Sequence, residues 1–492
     1  MSASGTSIGV GLISHTNAGK TTLARTLLRK DIGEIGDRAH VTDVSERHVL
    51  IESTQGDVLE LWDTPGFGDS ARLYQRLKQQ TDPIGWAVSQ VWDRFADRPY
   101  WSGQKALISA RQACDVILYV VNASELPEDA RYVETEMKIL DWLGKPVVLV
   151  LNQVGPLRSQ ARSEAEVALW RSHLAAHSCV RGALSLDAFG RCWVQEDRLF
   201  GLIESLVPME KKGAGARLRA AWQARNYQTF EHSQQTLAHE LACLAVDEEG
   251  FAKPNLSQKL GGWVKSSVLG NDGDAAQLKV AQQAMLQRME SLTRAAMDML
   301  IKLHGLSGSA ATEPLQELAR ELAVERPADE HKAGLWGGLL SGAAGGLAAD
   351  LATGGLSFGA GALIGGVVGA LGAVGAVQAY NVARGKGSGR LHWSSEFMTR
   401  RVATSLLSYL AVAHFGRGRG EFVQVAVPDH VQQALGAINA YRSQLDRVWQ
   451  SAQKDRDVAK AEQQLLAPLS ALTRDVLLAL YPDCTAALTK PA

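Results

Sequence analysis

The chain has 492 residues, and its 51 Lys plus Arg stand against 52 Asp plus Glu. That length implies about two to four domains rather than one compact fold, and the balanced charge excludes a global basic field that would recruit nucleic acid without sequence preference. Cys114, Cys179, Cys192, Cys243 and Cys484 form no CxxC pair and no metal-like spacing, which predicts inert reduced thiols rather than a disulfide framework. The opening MSASGTSIGVGL lacks a basic region followed by a long apolar core, so residence in the cytoplasm is expected.

Up to about residue 208, short apolar runs alternate with helical stretches, the pattern of an open α/β sheet. Strands are predicted over Thr6 to Ser14, Arg47 to Ser53, Val58 to Thr64, Asp115 to Ala123, Pro146 to Asn152 and Val180 to Leu186. The stretch between residues 67 and 112 carries Leu73, Leu77, Ile84, Val88 and Trp92 at helical spacing and reads as an insertion. Directly after the first strand, SHTNAGKTTLARTLL has the form of a phosphate loop opening a helix. Backbone N–H groups at Asn17, Ala18, Gly19 and Lys20, followed by Thr21 and Thr22, would cradle the phosphates of a nucleotide at the positive end of the helix. Lys20 would reach the β and γ phosphates, and Thr21 would place its hydroxyl on Mg²⁺. Ser14 stands where the consensus GxxxxGK[ST] has its first glycine. WDTPGFGD adds Asp63, which can hold a water on Mg²⁺, and Gly66, whose backbone N–H can approach a γ phosphate because no side chain intervenes. Thr42, in AHVTDVSE, lies between the two motifs, where a switch loop would supply a further Mg²⁺ and γ-phosphate ligand.

TNAGKTTL, DTPG and the strand order resemble the Era/TrmE-like bacterial GTPases of the translation-factor class over about residues 5 to 207. More narrowly, the chain resembles Era-like GTPases that carry a C-terminal domain of unknown function. The resemblance implies an α/β P-loop G domain, mostly parallel and flanked by helices, together with GTP/GDP binding and hydrolysis, which Phe67 in place of a water-orienting Gln is expected to make slow. Lys20, Thr42 and Gly66 are the residues to which it assigns the chemistry. Ras-type enzymes orient the attacking water with a Gln after the DxxG glycine; here that residue is Phe67. The missing polar group would come from Asp69, Thr42 or Asp43, from K⁺, or from a partner, including a second G domain.

LVLNQVGP occupies the place of the guanine-reading Asn-Lys-x-Asp tetrad. Asn152 is present, Gln153 replaces the lysine stem, and Gly155 removes the carboxylate that would accept from the guanine edge. Asn152 would contact the base and tie its loop to the phosphate loop. GALSLDAF takes the place of the second base-contacting loop, with Ser185 or its neighbour as backbone donor and Asp187 as a substitute carboxylate or a solvated loop acid. ATP stays open beside GTP.

Residues 208–330 read as helical, with a 4-3-4-3-4 apolar stripe through Met285, Met289, Leu292, Ala296, Met299 and Leu303. A second helical region, 388–492, repeats that spacing through Val431, Leu435, Ile438, Arg442, Leu445 and Trp449, with Arg442 at its margin. Between them, residues 331–387 are rich in Gly and Ala. Gly334, Gly338, Gly342 and Gly346, then Gly361, Gly365 and Gly369, recur every fourth residue, which is glycine-zipper spacing. Thr353 to Ala373 is long enough to span a bilayer, and a helical hairpin turning near Asp350 to Gly355 is expected. A buried hairpin or a mobile linker are the alternatives. The cations Arg384, Lys386, Arg390, Arg400 and Arg401 would face anionic headgroups or simply solvent.

The reading that follows is a cytoplasmic nucleotide switch whose residues 333–383 meet the inner membrane, peripherally or inserted, or a membrane protein. Its rival is a membrane-inserting or pore-building protein governed by a nucleotide-binding domain. A ribosome or RNA-assembly role finds neither a binding motif nor a basic domain to support it.

Overall fold

A computed structural model describes residues 5–30, 45–90, 98–153, 160–190, 192–252, 272–306, 377–380, 388–416 and 428–490. The chain divides into two compact units. The first is Met1–Thr229 with Ala413–Glu421 and Tyr481–Ala492, and the second is Phe230–Val412 with Phe422–Leu480.

The first unit is built on a six-stranded sheet: β1 (Ser7–Ile13), β2 (Glu46–Glu52), β3 (Val58–Asp63), β4 (Val116–Asn122), β5 (Val147–Asn152) and β6 (Val180–Ser185), in the order β2-β3-β1-β4-β5-β6. Only β2 runs antiparallel to its neighbour. Central parallel strands are covered on both faces and therefore read as unbroken apolar runs; every residue of β5, VVLVLN, is buried. Alternation along β4 divides the core, with Val116, Leu118 and Val120 on one face and Ile117, Tyr119 and Val121 on the other. The predicted strands match the observed ones to within a residue at each end.

Helix α1 (Lys20–Leu28) follows β1. The expected insertion contains α2 (Ser70–Leu77), α3 (Pro83–Ser89) and α4 (Arg98–Ala113). Asp69 and Asp82 cap α2 and α3 by accepting from Arg72 N and Gly85 N, both at 2.9 Å. Helices α5 (Arg131–Leu143), α6 (Gln160–His173) and α7 (Trp193–Leu206) complete the set. The core does not stop at residue 207. Helix α8 (Lys212–Val246) contributes Ala214, Leu218 and Trp222 to it, and Trp222 stacks on Phe200 with ring centroids 4.0 Å apart. At Gly416 a Cβ would lie 2.1 Å from the Ala188 carbonyl oxygen, so only glycine permits that approach to the loop after β6.

The second unit holds the remainder of α8 with α9 (Asp272–Leu303), α10 (Ser395–Ala413), α11 (Pro428–Asp455) and α12 (Val458–Leu480). It also contains an antiparallel sheet absent from the sequence reading: β7 (Glu248–Ala252), β8 (Val377–Tyr380) and β9 (Ser388–Trp393), with β9 central. These strands are short, and β7 pairs across more than a hundred residues of chain, so local periodicity gives no sign of them.

Two expectations are corrected here, and a third lies mostly outside the described residues. The α9 stripe holds at Met285, Met289 and Ala296 but then shifts to Met297, Leu300 and Ile301, leaving Met299 45% exposed. A 4-3 spacing averages 3.5 residues per turn and drifts against the 3.6 of a straight helix. Arg401 is not a headgroup cation: it is 7% exposed and paired with buried Glu240, while Arg390 pairs with Glu248 at 3.0 Å. Within 331–387 the described residues 377–380 are strand; the rest of the proposed hairpin, with Arg384 and Lys386, lies outside the described residues. No helix among the described residues is long and apolar enough to cross a membrane.

Two predictions concern stability. Trp222→Ala empties a fully buried site and is expected to lower the unfolding free energy of the first unit by about 3 to 5 kcal/mol, read by urea denaturation. Asp57 accepts from Arg217 Nε (2.6 Å) and Nη2 (3.0 Å), Ser53 Oγ (2.8 Å) and Thr6 N (3.1 Å). The Arg217 guanidinium, aided by Thr6 and Ser53, holds its carboxyl well below the usual carboxylate range against the opposing effect of burial. A depressed folded-state pKa stabilises fully above the unfolded value of about 3.9 and is lost as pH falls toward the folded one. The stability gap between the natural chain and Asp57→Asn should therefore narrow from pH 5 to pH 2; a constant gap contradicts it.

Candidate nucleotide site

The site lies at the C-terminal ends of β1 and β3, where open α/β sheets place their ligands. The turn from β1 into α1 requires two left-handed residues, Asn17 (φ 66°) and Gly19 (φ 83°). Gly19 caps α1 without a side-chain hydrogen bond, so the first turn of helix N–H groups is left to a ligand.

Lys20 is only 8% exposed. Its Nζ donates to Ser14 Oγ at 2.9 Å, and that hydroxyl in turn donates to the His15 carbonyl. Ser14 therefore does more than tolerate the missing consensus glycine: it holds the ammonium. Burial lowers the Lys20 pKa, while Asp63 and Glu136 pull it back up. Gly66 stands directly opposite, since a Cβ there would lie 3.0 Å from Lys20 Nζ and 3.2 Å from Thr16 Cα.

Thr21 Oγ1 donates to Asp63 Oδ2 at 2.6 Å. Asp63 is 2% exposed, burial raises its pKa, and its Oδ1 is buried without a hydrogen-bond partner among the described residues. A buried, unsatisfied carboxylate oxygen beside a hydroxyl is costly without a cation. This oxygen-only donor pair fits Mg²⁺, which prefers few protein ligands and completes its shell with water and phosphate. Thr22 is buried within α1. Thr42 and Asp43 lie outside the described residues.

Asn152 acts as a brace. Its Nδ2 donates to Ala18 O (2.9 Å) and Gly19 O (3.5 Å), and its Oδ1 accepts from Ala188 N (2.8 Å). The amide thus joins the phosphate loop to the loop after β6, with both ends engaged. Gln153, at φ 57°, donates to Asn17 O at 3.4 Å. Val154 and Gly155 lie outside the described residues. Ser185 ends β6 in register with Leu151. Beyond it, Leu186 N donates to Leu151 O and Phe189 N to Asp187 Oδ1. Asp187 is buried rather than a solvated loop acid, because it closes its own turn.

Phe67 is fully buried among Ile13, Leu73 and Tyr119; its N–H donates to Ser14 O at 2.9 Å. The side chain after the DxxG glycine therefore builds core beneath the loop and does not meet the nucleotide. The sequence reading missed Glu136, which is fully buried. It receives Tyr119 OH at 2.5 Å and contacts His15 Nδ1 at 2.8 Å, anchoring the phosphate loop from α5. A signal existed: Glu136 falls in the apolar stripe Val133, Met137, Leu140 of α5, and an acid at such a position calls for a partner.

Comparison with known proteins agrees with this geometry. Residues 9–153 match the family described as 50S ribosome-binding GTPase, so this part of the first unit is a P-loop GTPase domain. Residues 177–469 match the family described as a domain of unknown function, DUF3482; that match covers more than half of the chain, which belongs to this family. GTPase Der of Sulfurimonas denitrificans is 30% identical over 149 residues, 30% of this chain and 23% of that protein. GTPase Der of Nitratiruptor sp. is 26% identical over 146 residues, 30% of this chain and 25% of that protein. The chain thus spans about a quarter of the length of these curated relatives. Among solved structures, Era in complex with MgGDPNP and a 16S ribosomal RNA segment aligns at 17% identity with TM-score 0.30, covering 59% of this chain and 90% of that one.

The brace makes a prediction. Asn152→Ala should weaken GTP and ATP binding by the same factor, about tenfold or more for the lost buried hydrogen bonds, in equilibrium titration. Selective loss of GTP would instead make Asn152 a base reader.

Proposed function

We propose that the protein is a Mg²⁺-dependent GTP hydrolase that acts as a nucleotide-controlled switch, and that its nucleotide state governs contact with a membrane or membrane protein through residues 333–383. The observation that carries the nucleotide chemistry is the cluster of Lys20, the Thr21–Asp63 pair with its unsatisfied oxygen, and Gly66 against the lysine. Lys20 binds and neutralises the phosphate chain, while Thr21 and Asp63 hold the cation. Mg²⁺, when bound, disperses the charge developing on the β and γ phosphates. Gly66 leaves its N–H open to the γ phosphate, so the presence of that group is read by the segment after β3.

Guanine is the base favoured by the relatives, both named as GTPases. With Asn152 engaged as a brace, discrimination rests on groups other than its amide. The membrane part of the proposal rests on the composition and glycine spacing of residues 333–376.

The burial of Phe67 favours a second reading, in which the domain binds nucleotide to control assembly and turns it over slowly or not at all. In the switch reading the water-orienting group would come from Asp69, Thr42 or Asp43, from K⁺, or from a partner such as a second G domain.

Three measurements bear on this. Lys20→Ala should abolish GTP hydrolysis in the full chain, and surviving turnover would move the active site elsewhere. Titration with GTP, ATP and XTP should give tightest binding for GTP; equal affinities argue against a GTPase. Liposome flotation of the full chain should exceed that of a chain lacking residues 333–376, a deletion that spares β8; equal flotation removes the membrane role.

A further inference from the structure

In the second unit, α8 presents His239 and Cys243 one turn apart on the same face, and α12 brings Glu462 beside them. His239 Nδ1 lies 2.9 Å from Glu462 Oε2, and its Nε2 lies 3.6 Å from Cys243 Sγ. These distances determine where the protons sit. An ionised carboxylate only accepts, so Nδ1 carries the ring proton and donates it to Glu462. Nε2 is then the basic lone pair, and it faces the thiol, whose S–H is the donor. A nucleophile, a base and an acid that orients the base are thereby aligned.

The constellation is also reachable. The His239 side chain is 59% exposed and that of Glu462 35%, and Cys243 is partly exposed, whereas Cys114, Cys179, Cys192 and Cys484 are buried.

We propose that Cys243 is a modification site at which the thiol, activated by His239, undergoes exchange with low-molecular-weight disulfides. In the step, His239 Nε2 takes the thiol proton as Cys243 sulfur attacks one sulfur of the disulfide. A new S–S bond forms to Cys243, the original S–S bond breaks, and the departing thiolate takes the proton back from the imidazolium. The disulfide is consumed and one thiol is released, so electrons and protons balance.

The charged groups around the thiol explain why a base is needed. Burial, then Glu462, Glu240 and Asp247, push the Cys243 thiol up, so free thiolate is scarce at neutral pH. The Glu240 charge is offset by Arg401 and that of Asp247 by Arg288. Glu462 is held by His239 itself. Direct transfer to Nε2 replaces ionisation into bulk water as the route to the nucleophile.

The test uses the full chain with an aromatic disulfide reagent at pH 7 and, separately, oxidised glutathione followed by intact mass. One fast-reacting thiol and a single glutathione adduct are expected, both lost in Cys243→Ser. His239→Gln should slow the fast phase by about tenfold or more with an unchanged thermal melt, and its rate should rise steeply with pH as a plain thiol titrates. Glu462→Gln should slow it less. A fast phase that persists in Cys243→Ser overturns the site. An unchanged rate in His239→Gln overturns the activation and leaves an ordinary partly exposed cysteine.

Discussion

The first unit depends on one constraint: an ammonium must be kept charged inside the fold, ready for phosphate. Lys20 is nearly buried, and burial disfavours its charge. Ser14 supplies a hydrogen bond, and Asp63 and Glu136 supply opposing charge at longer range. Each of these groups has a further duty. Asp63 turns to Thr21, Glu136 holds His15 and Tyr119, and Ser14 receives Phe67 through its backbone. The charge of the loop is therefore balanced by Asp63 from β3 and by Glu136 from α5. Phosphate and a cation would relieve the cost of holding these charges inside the fold.

The altered guanine motif takes on a different meaning in this setting. The Asn152 amide is a structural tie between two loops. An asparagine is well suited to this: one end donates to the phosphate loop and the other accepts from Ala188, so a single side chain fixes both loops. Gly19 approaches so closely that a Cβ would meet Asn152 Nδ2 at 2.6 Å, and the pair is mutually constrained.

In the second unit the comparable polar feature is Arg401. It meets Glu240 on α8 and donates to Thr293 on α9 at 2.6 Å, while Ser405 Oγ donates to Glu240 at 3.1 Å. Buried ion pairs contribute little to net stability but penalise arrangements that leave one partner alone. Three helices are held in register by that penalty, alongside packed residues such as Leu406, Tyr409 and Leu469.

The sequence by itself determined the strands of the nucleotide domain, because parallel strands covered on both faces must be apolar runs, and the motif residues Lys20, Thr21, Asp63 and Gly66, because phosphate and cation chemistry admits few residue types at fixed spacing. It also marked the long helices, whose periodicity is local. It did not reveal the three-stranded sheet, the burial of Arg401, or the Cys243–His239–Glu462 alignment. Each of those depends on which distant segment comes to lie alongside. Glu136 carries the same lesson, since a carboxylate is a solvated acid or a buried anchor according to what folds over it. Tertiary structure decided these points because the free energy of a polar group is set by its neighbours, and no local pattern records who they are.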